Sequence, residues 1–284
     1  MLSQAGDRFG HTTRSLHYTA KTTRIMAQFI FDEMLPPILA SPAYFDKVGI
    51  KEPTDRSNSM FSFGHGKPGV PVWEVINTSP ERMGNCIEAM KMMDLTYPFL
   101  APYDLSWVVA ASKGGSRAVV VDVGGGSGNS LKAIVKATPG LAMDRCVLED
   151  RPKIVEAAKR ASDPELAGVR FVGVNFQAEQ PVKEAHVYYA RRILHDYSDD
   201  ACVGILQKIS DAMAADSRLL IVEQVIGDPP SAFAAASNIF MTSLSGKERT
   251  LDCFRGITAR AGLKVLKAHW APDGEAAVIV CVKV

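Results

Sequence analysis

The spacing of apolar residues changes near Arg117 and divides the chain into two regions. From there on, short apolar runs rich in β-branched residues alternate with stretches of helical spacing, such as residues 152–161 and 200–213. The predicted strands are RAVVVDV (117–123), RCVLED (145–150), VRFVGVNF (169–176), HVYYA (186–190) and RLLIVEQV (218–225). This alternation predicts an α/β fold whose mostly parallel sheet is covered by helices on both faces.

The last two predicted strands, LKVLKAHW (263–270) and AAVIVCVKV (276–284), are separated only by the turn APDGE. A turn of this length cannot carry the chain back for a parallel crossover. The pair is therefore predicted to form an antiparallel hairpin at the sheet. The chain is thus divided into a helical region over residues 1–110 and an α/β domain over residues 111–284.

The first region reads as helices and loops. Residues 19–40 have helical spacing up to a proline pair, and a loop rich in Gly, Pro, Ser and Asp is predicted over residues 51–71. The segment NTSPERMGNCIEAMKMM then carries a helix start signal, with Ser79 as N-cap followed by proline and glutamate in the first turn.

This last helix carries soft apolar residues at intervals of three or four. They are Met83, Cys86, Ile87, Met90 and Met93. Such a stripe is typical of a helix face that packs against the core. It would equally form a soft wall around an apolar ligand, and the two interpretations are compatible because a pocket wall is also partly core.

Composition and charge exclude several classes of partner. The 284 residues are 47% apolar and include 32 basic and 31 acidic side chains, which gives no electrostatic reason to expect nucleic acid. The segment after Met1 is polar and lacks an apolar signal core, and no apolar run is long enough to span a bilayer. The five cysteines are scattered without a CxxC pair, which disfavours zinc and disulfide frameworks. We expect a reduced, cytoplasmic protein without nucleic-acid or membrane partners.

Candidate chemistry begins at the glycine-rich turn VVVDVGGGSGNS, which follows the first predicted strand. Glycines there permit a tight turn and let a ligand approach the backbone N–H groups. Gly124 and Gly126 would require glycine at position 129 to complete the dinucleotide fingerprint, but the residue is Asn129. Asp150 ends the second strand about twenty residues on, where an acid can hold a ribose hydroxyl. Alternatively, Asp150 only caps the helix that Pro152 starts.

A histidine stands where a predicted buried strand ends, in HVYYARRILHDYSDD. In open α/β sheets this position is the usual location of chemistry, although an isolated histidine there is most often structural. His195 is followed by Asp196, Asp199 and Asp200, which could indicate a metal site, but no H-x-x-x-H or similar ligand spacing accompanies them. Ser198 and Asp199 fit better as caps of the following helix, so we predict no metal.

The motifs VDVGGGSG, LED, VGVNF, RRILHDYSDD, LLIVEQVI and GKERT stand in the order found in S-adenosylmethionine-dependent O-methyltransferases. The chain resembles most closely the plant caffeate-type family and its fungal relatives in secondary metabolism, from about Thr12 to Val284. The resemblance implies a Rossmann-like class I methyltransferase fold with a smaller helical region before it. It also implies S-adenosylmethionine as cofactor and a small hydroxylated molecule as substrate.

The resemblance assigns roles to individual residues. Asp150 is expected to hold the ribose hydroxyls, and Asn175 departs from an aspartate of the family without losing the ability to bond adenine. Arg191 stands where the plant enzymes usually have lysine. The residues expected to bind the cofactor are Gly124, Gly126, Gly128, Asp150, Asn175, Phe176 and Arg191.

In the resembling family the histidine of the HD motif is the general base, which is His195 here. The flanking acids by position are Glu223 and Glu248. Taken without the resemblance, Glu223 could face water at a strand end, and Glu248 could be an exposed loop charge paired with Lys247 or Arg249. The expected substrate pocket consists of Trp73, Cys86, Met90, Met93, Phe240 and Met241, which favours a large apolar ring system from an aromatic or polyketide-like metabolite.

Three other functions stay open beside O-methyl transfer. Some fungal relatives of the family bind the cofactor but guide dehydration or pericyclic ring formation, and loss of the histidine would point to them. A chain without activity could still bind S-adenosylmethionine. An NAD-dependent oxidoreductase is disfavoured by Asn129 and by the terminal hairpin.

The resembling family normally carries a longer helical and winged-helix segment that dimerises the protein. This chain starts near the HT…S segment of that family, so we expect a shortened N-terminal region and a homodimer only if that region suffices. An apolar surface exposed by a missing segment would favour association. The sequence does not identify the substrate or the position that is methylated.

Overall fold

The structure is a computed structural model that describes residues 2–94, 97–100, 102–272 and 274–284. Its internal contacts divide the chain into two compact units. The helical unit comprises residues 1–96 and 239–246, and the sheet unit comprises residues 97–238 and 247–284. The predicted boundary at residue 110 stays a prediction.

The helical unit begins with a short hairpin and continues as a series of helices. The hairpin consists of β1 (Leu2–Ala5) and β2 (Arg8–His11). The helices are α1 (Thr13–His17), α2 (Lys21–Gln28), a π-helical turn (Phe29–Met34), α3 (Leu35–Leu39), α4 (Ser41–Val48), α5 (Met60–Gly64), α6 (Val72–Ile76) and α7 (Pro80–Asp94). The start of α7 is as predicted, because Ser79 Oγ accepts a hydrogen bond from the backbone N–H of Arg82 at 3.1 Å.

Three predictions about the helices and loops of this unit were wrong. Residues 2–11 form the hairpin rather than helix or loop, because Gly6 adopts a φ of +62° in a two-residue turn. The predicted loop over 51–71 contains α5, whose first residues are buried and whose N-cap is Ser59. The helical path also continues through the proline pair, because the turn before it is π-helical and both prolines lie in the first turn of α3.

The core of the helical unit contains most of the stripe on α7. Cys86 and Ala89 are buried, and Met83, Met90 and Met93 pack against the same apolar cluster. Ile87 is 39% exposed and is therefore wrongly placed in the predicted stripe, because it lies one residue beyond Cys86 on the outer face of the helix.

The sheet unit contains a seven-stranded sheet among the described residues, in the order β5-β4-β3-β6-β7-β9-β8. The strands are β3 (Val120–Val123), β4 (Cys146–Asp150), β5 (Arg170–Gly173), β6 (Val187–Arg191), β7 (Arg218–Gln224), β8 (Leu263–Trp270) and β9 (Ala276–Lys283). The first five strands in this order are parallel, and β9 runs antiparallel between β7 and β8. The predicted fold class and terminal hairpin are confirmed, while Asp273 of the predicted turn lies outside the described residues.

The parallel strands are joined through helices and short 3₁₀ turns. The helices of this unit are α8 (Trp107–Ala111), α9 (Asn129–Ala137), α10 (Pro152–Ala161), α11 (Asp199–Ala212), α12 (Ala232–Ser243) and α13 (Leu251–Arg260), with the last residues of α12 grouped with the helical unit. Adjacent residues of β6 point into different apolar clusters, since Tyr188 belongs to one and Tyr189 to the other. The sheet is therefore packed on both faces. No helix in the described part of the chain is long and apolar enough to cross a membrane.

Candidate active site

The glycine-rich turn joins β3 to α9 and has the backbone of a ligand-binding loop. Gly124, Gly126 and Gly128 have φ values of +72°, +56° and +83°, which side-chain-bearing residues rarely adopt. The N–H groups of Gly124 and Gly125 both donate to the carbonyl oxygen of Glu149, at 2.8 and 2.9 Å. These bonds hold the turn against the end of β4.

The glycines differ in what surrounds them. A Cβ on Gly124 would lie 2.4 Å from Cδ1 of Ile193, and a Cβ on Gly128 would lie 2.6 Å from Leu166. A Cβ on Gly126 would meet nothing within 4 Å. A side chain at Gly124 or Gly128 would thus have to displace the methyl ends of Ile193 or Leu166, whereas Gly126 borders open space in front of the turn.

Asp150 belongs to this turn rather than to α10. Its Oδ2 accepts a hydrogen bond from the backbone N–H of Gly126 at 3.0 Å, and its Oδ1 accepts one from the N–H of Arg151 at 2.7 Å. The N-cap of α10 is Arg151, which makes no side-chain capping bond. The alternative that Asp150 only caps this helix is therefore wrong, because its carboxylate points back to the glycines.

The other residues expected at the cofactor lie in different surroundings. Phe176 is half-buried, and its ring is 3.6 Å from the position of a Cβ on Gly124. Asn175 is exposed and its Oδ1 accepts the N–H of Gln177 at 3.2 Å. Arg191 is buried, stacks over a phenylalanine ring at 4.1 Å and donates to the carbonyl oxygens of residues 97 and 98. A cofactor role for each of them stays a prediction.

His195 lies in a 3₁₀ turn directly after β6. The imidazole is 8% exposed, with its Nε2 3.1 Å from the carbonyl oxygen of Arg192 and its Nδ1 3.4 Å from Oε1 of Glu248. Because β3, β4, β6 and β7 are parallel, their carboxyl ends meet at one edge of the sheet. His195 therefore follows the same sheet edge as Asp150 and the glycine turn.

The two predicted acids flank the histidine and are buried. Glu223 is 1% exposed, and its Oε1 accepts the backbone N–H groups of Ile193 and Leu194 at 2.9 and 2.8 Å. Glu248 is 4% exposed, and its Oε1 accepts the hydroxyl of Ser237 at 3.0 Å. The alternatives of a water-facing Glu223 and an exposed Glu248 are therefore wrong.

Arg192 completes this cluster and was missed by the sequence analysis. Its Nη1 is 3.1 Å from Oε1 of Glu248 and 3.9 Å from Oε2 of Glu223, and its guanidinium lies 4.2 Å above the ring of Tyr97. The sequence does contain a signal for it, because Arg192 is the second arginine of an RR pair that follows a predicted buried strand. A cation in that position requires a carboxylate partner.

The charges of the cluster act on one another. Burial and Arg192 lower the pKa of His195, but Asp196, Glu223 and Glu248 raise it, and the acids prevail so that it lies above its usual value. Burial alone would raise the pKa of Glu248, whereas its contacts with His195 and Arg192 bring it to about 2. Burial raises the pKa of Glu223, against the opposing effects of His195 and Arg192. The imidazole thus sits in a site that stabilises its protonated form.

Arg249 fixes the turn that carries the histidine. Its fully buried guanidinium donates to the carbonyl oxygens of Leu194 and Tyr197, at 2.8 and 2.7 Å, and to Oδ1 of Asp199 at 2.9 Å. Asp199 also accepts Lys247 Nζ at 2.9 Å. Ser198 is the N-cap residue of α11, as predicted, but makes no side-chain capping bond, and Asp199 lies in the first turn and pairs with these two cations.

Donor atoms of His195, Glu223 and Glu248 lie within 4.8 Å of one another, so these three side chains could hold a metal ion. The guanidinium of Arg192 already places a positive charge against both carboxylates. Two cations would repel each other here, so Arg192 disfavours a metal ion between these carboxylates. The prediction of no metal stays a prediction.

The predicted substrate residues belong to the helical unit. Cys86, Met90, Met93, Phe240 and Met241 contribute to a single apolar cluster. Trp73 is 44% exposed and lies outside that cluster as the described residues define it.

A cavity of about 500 Å³ lies within the helical unit and is lined in part by Cys86. It also contains the ion pair between Glu33 and Arg82, in which Arg82 Nε donates to Glu33 Oε1 at 2.6 Å and Nη2 donates to Oε2 at 2.7 Å. Among the predicted substrate residues, Cys86 lines this cavity.

Solved structures share this fold. OxaC in complex with S-adenosylhomocysteine and oxaline superposes with a TM-score of 0.85 at 23% identity, over 100% of this chain and 72% of that chain. A structure described as a pericyclic reaction enzyme superposes with a TM-score of 0.78 at 24% identity, over 100% of this chain and 73% of that chain. At these identities the likeness establishes the fold alone.

Sequence comparison gives the family. The methyltransferase pvhD of Talaromyces variabilis is 38% identical over 258 residues, which are 90% of this chain and 71% of pvhD. The sequence profile of the O-methyltransferase domain matches residues 52–264. The predicted enzyme class and its cofactor, S-adenosylmethionine, are confirmed by this match, and the chain belongs to the O-methyltransferase domain family.

Proposed function

We propose that the protein transfers a methyl group from S-adenosylmethionine to a hydroxyl of a small aromatic or polyketide-like metabolite, with His195 as general base. The observation that carries this proposal is the buried cluster in which His195 lies against Glu248 and close to Glu223. A buried histidine with raised pKa between two acids is suited to take up a proton.

The residues at the edge of the sheet fit the cofactor. The positive φ of Gly126 and the open space in front of it form a cradle that a side chain would fill. The carboxylate of Asp150, 3.0 Å from the N–H of Gly126, is an acceptor suited to ribose hydroxyls. Phe176 offers a flat apolar surface for adenine beside Gly124. When bound, S-adenosylmethionine supplies the electrophilic methyl group of its sulfonium.

The protein contributes placement and removal of the hydroxyl proton. A phenol has a pKa of about 10, so it is a weak nucleophile near neutral pH until a base removes its proton. Nε2 of His195 contacts the carbonyl oxygen of Arg192 at 3.1 Å and has to turn away from it to accept that proton. The proton then resides on the imidazole, where Glu248 and Glu223 stabilise the positive charge.

The apolar cluster of the helical unit supports an apolar acceptor. Methionine side chains are polarisable and adapt their shape to a ring system, and Met90 and Met93 both border this cluster. OxaC has been solved with the small molecules oxaline and meleagrin. We propose that this protein also acts on a small molecule. A homodimer and a cytoplasmic location stay predictions.

The first test is calorimetric titration of the full chain with S-adenosylhomocysteine, with NAD as control. Saturable binding of the first alone is expected. A panel of hydroxylated aromatic and polyketide acceptors is then incubated with S-adenosylmethionine that carries a labelled methyl group. A labelled product that His195→Ala fails to form, although it still binds S-adenosylhomocysteine, supports the proposal. Full turnover by His195→Ala overturns the assignment of the base.

One observation favours a second reaction, dehydration or pericyclic ring formation with the cofactor bound. Both ring nitrogens of His195 face oxygen acceptors, and its raised pKa favours the protonated imidazole, which can donate a proton instead of accepting one. In the same panel, this reaction gives products that have lost water or rearranged but carry no labelled methyl. If the wild type forms such products and His195→Ala does not, this second reaction, and not methyl transfer, is the function.

A further inference from the structure

Arg192 is the charged residue of the cluster that the proposed reaction does not use. Its side chain is 18% exposed, and it reaches Glu248 at 3.1 Å and Glu223 at 3.9 Å. Its backbone carbonyl oxygen is the partner of His195 Nε2 at 3.1 Å. Arg192 thus contacts the two carboxylates with its side chain and the imidazole with its main chain.

We propose that Arg192 is a positioning residue that sets the proton affinity of His195, through the carboxylates that its guanidinium holds and the imidazole nitrogen that its carbonyl holds. This inference rests on the proposed function, because a tuned proton affinity serves catalysis only if His195 exchanges a proton with the substrate.

The charge balance of the cluster supports this role. Glu223 and Glu248 are both buried, and two carboxylates in one site repel each other. With only His195 as cation, the imidazole would hold its proton firmly and would be a poor base. Arg192 supplies a second positive charge, which lowers the pKa of both carboxyls and of the imidazole, so that His195 can release and accept a proton.

The groups around His195 come from several elements. Asp196 follows it on the same turn, with Oδ1 3.7 Å from Nε2. Glu223 comes from β7 and Glu248 from the segment before α13. Tyr97 faces the guanidinium, and Ser237 on α12 bonds Glu248 Oε1 at 3.0 Å. Arg192 is the cation among these neighbours, so its removal leaves the acids unopposed.

The backbone of Arg192 indicates that its position is imposed. Its φ is +55°, a left-handed conformation that costs a residue with a Cβ about 1 kcal/mol or more. The N–H of Arg192 donates to Val222 O at 3.0 Å, and Glu223 accepts the next two N–H groups. These bonds hold the carbonyl of Arg192 toward the imidazole.

The test measures the titration of His195 directly and needs no methyl acceptor. The full chain is labelled at histidine, and the imidazole signals are followed by NMR from pH 5 to pH 10 in the wild type, Arg192→Gln and Arg192→Lys. His195→Asn identifies the signal among the six histidines. We expect the pKa of His195 to rise by about one unit or more in Arg192→Gln and to change far less in Arg192→Lys, which keeps the charge.

Arg218→Gln is the matched control. Arg218 stacks on Trp107 at 4.1 Å and begins β7, whereas Glu223 lies near the other end of that strand, roughly 16 Å away. We expect the titration of His195 to be unchanged in this variant.

A His195 pKa in Arg192→Gln that equals the wild-type value, with an intact fold by circular dichroism, overturns the proposal. If Arg192→Gln does not fold, Arg192→Met takes its place, because it removes the charge and keeps an unbranched side chain, and a His195 pKa in Arg192→Met equal to the wild-type value overturns the proposal. The pKa of His195 can shift in Arg192→Gln even if no compound in the panel accepts a methyl group. That result would support the inference about Arg192 and reject the proposed reaction.

Discussion

Arg249 donates a hydrogen bond from Nη1 to the carbonyl oxygen of Leu194, the residue directly before His195, over 2.8 Å. The same guanidinium reaches Tyr197 and Asp199 while being fully buried. A single planar cation therefore holds the turn of the histidine at three points. This arrangement depends on the fork of donors that arginine has and lysine lacks.

Arg249→Lys keeps the charge but cannot make the three bonds at once. We expect a loss of about 2 kcal/mol in the free energy of unfolding for each buried bond to the charged group that is not replaced. Turnover should fall at least about tenfold, because a misplaced base transfers protons poorly. Denaturant unfolding and methyl transfer to an acceptor from the panel measure the two effects. Arg255→Lys, in an exposed ion pair with Asp252 on α13, should change neither.

Asp150→Ala should weaken the binding of S-adenosylhomocysteine by at least about tenfold, because it removes the carboxylate expected to hold the ribose hydroxyls. Asp211→Ala, at an exposed position on α11, serves as control. Calorimetric titration compares both variants with the wild type. Equal affinity in the wild type and Asp150→Ala would limit Asp150 to its contact with Gly126.

The glycine turn offers a matched pair of substitutions. Gly124→Ala places a Cβ 2.4 Å from Ile193, whereas Gly126→Ala meets open space and carries only the cost of a positive φ, about 1 kcal/mol. We expect Gly124→Ala to lower the free energy of unfolding by clearly more than Gly126→Ala. Gly126→Ala should instead weaken S-adenosylhomocysteine binding beyond what its small loss of stability explains. Equal affinity for the ligand in Gly126→Ala would place the cofactor away from this glycine.

Glu149 gives the protein a pH-dependent stability. Burial raises the pKa of this carboxyl from the usual 4.5 to about 7, although Gln180 donates to it at 2.7 Å. Between pH 4.5 and pH 7 the Glu149 carboxyl is ionised in the unfolded chain but still protonated in the folded chain. Raising the pH from 4.5 to 7 therefore destabilises the fold, by about 3 kcal/mol from this group, and the loss persists above pH 7.

Glu149→Gln should remove this dependence and make the protein more stable than the wild type at pH 8, since the amide can still accept from Gln180. Denaturant unfolding at pH 5 and pH 8 measures the difference. Parallel curves for the two proteins would show that Glu149 does not titrate in this range.

The sequence predicted the sheet well because five of its strands, β3, β4, β6, β7 and β9, are buried on both faces and carry continuous apolar runs. The hairpin at residues 2–11 escaped prediction because all of its residues are exposed, so no apolar alternation marks it. The α5 helix was hidden in a segment of turn-forming residues, and only the burial of Met60 and Phe61 reveals it. Local pattern therefore succeeded where burial dictates the pattern and failed where tertiary contacts decide.

The candidate site shows the same limit. His195, Glu223 and Glu248 could be named from ordered motifs, and the structure brings them together. The pairing of Asp199 with Arg249 joins residues 50 positions apart, and no local spacing indicates it. The contact between Arg192 and Glu248 spans 56 positions, so it also depends on the fold.

The place of β9 has a consequence for how the protein is made. Leu219, Ile221 and Glu223 of β7 take their partners from residues 277–281. While a ribosome has yet to synthesise those residues, the apolar edge of β7 has no strand beside it and is open to pairing with other nascent chains. Glu223 also lies on that open edge, so the strand that carries one acid of the His195 cluster is paired on both sides only after translation has passed β9.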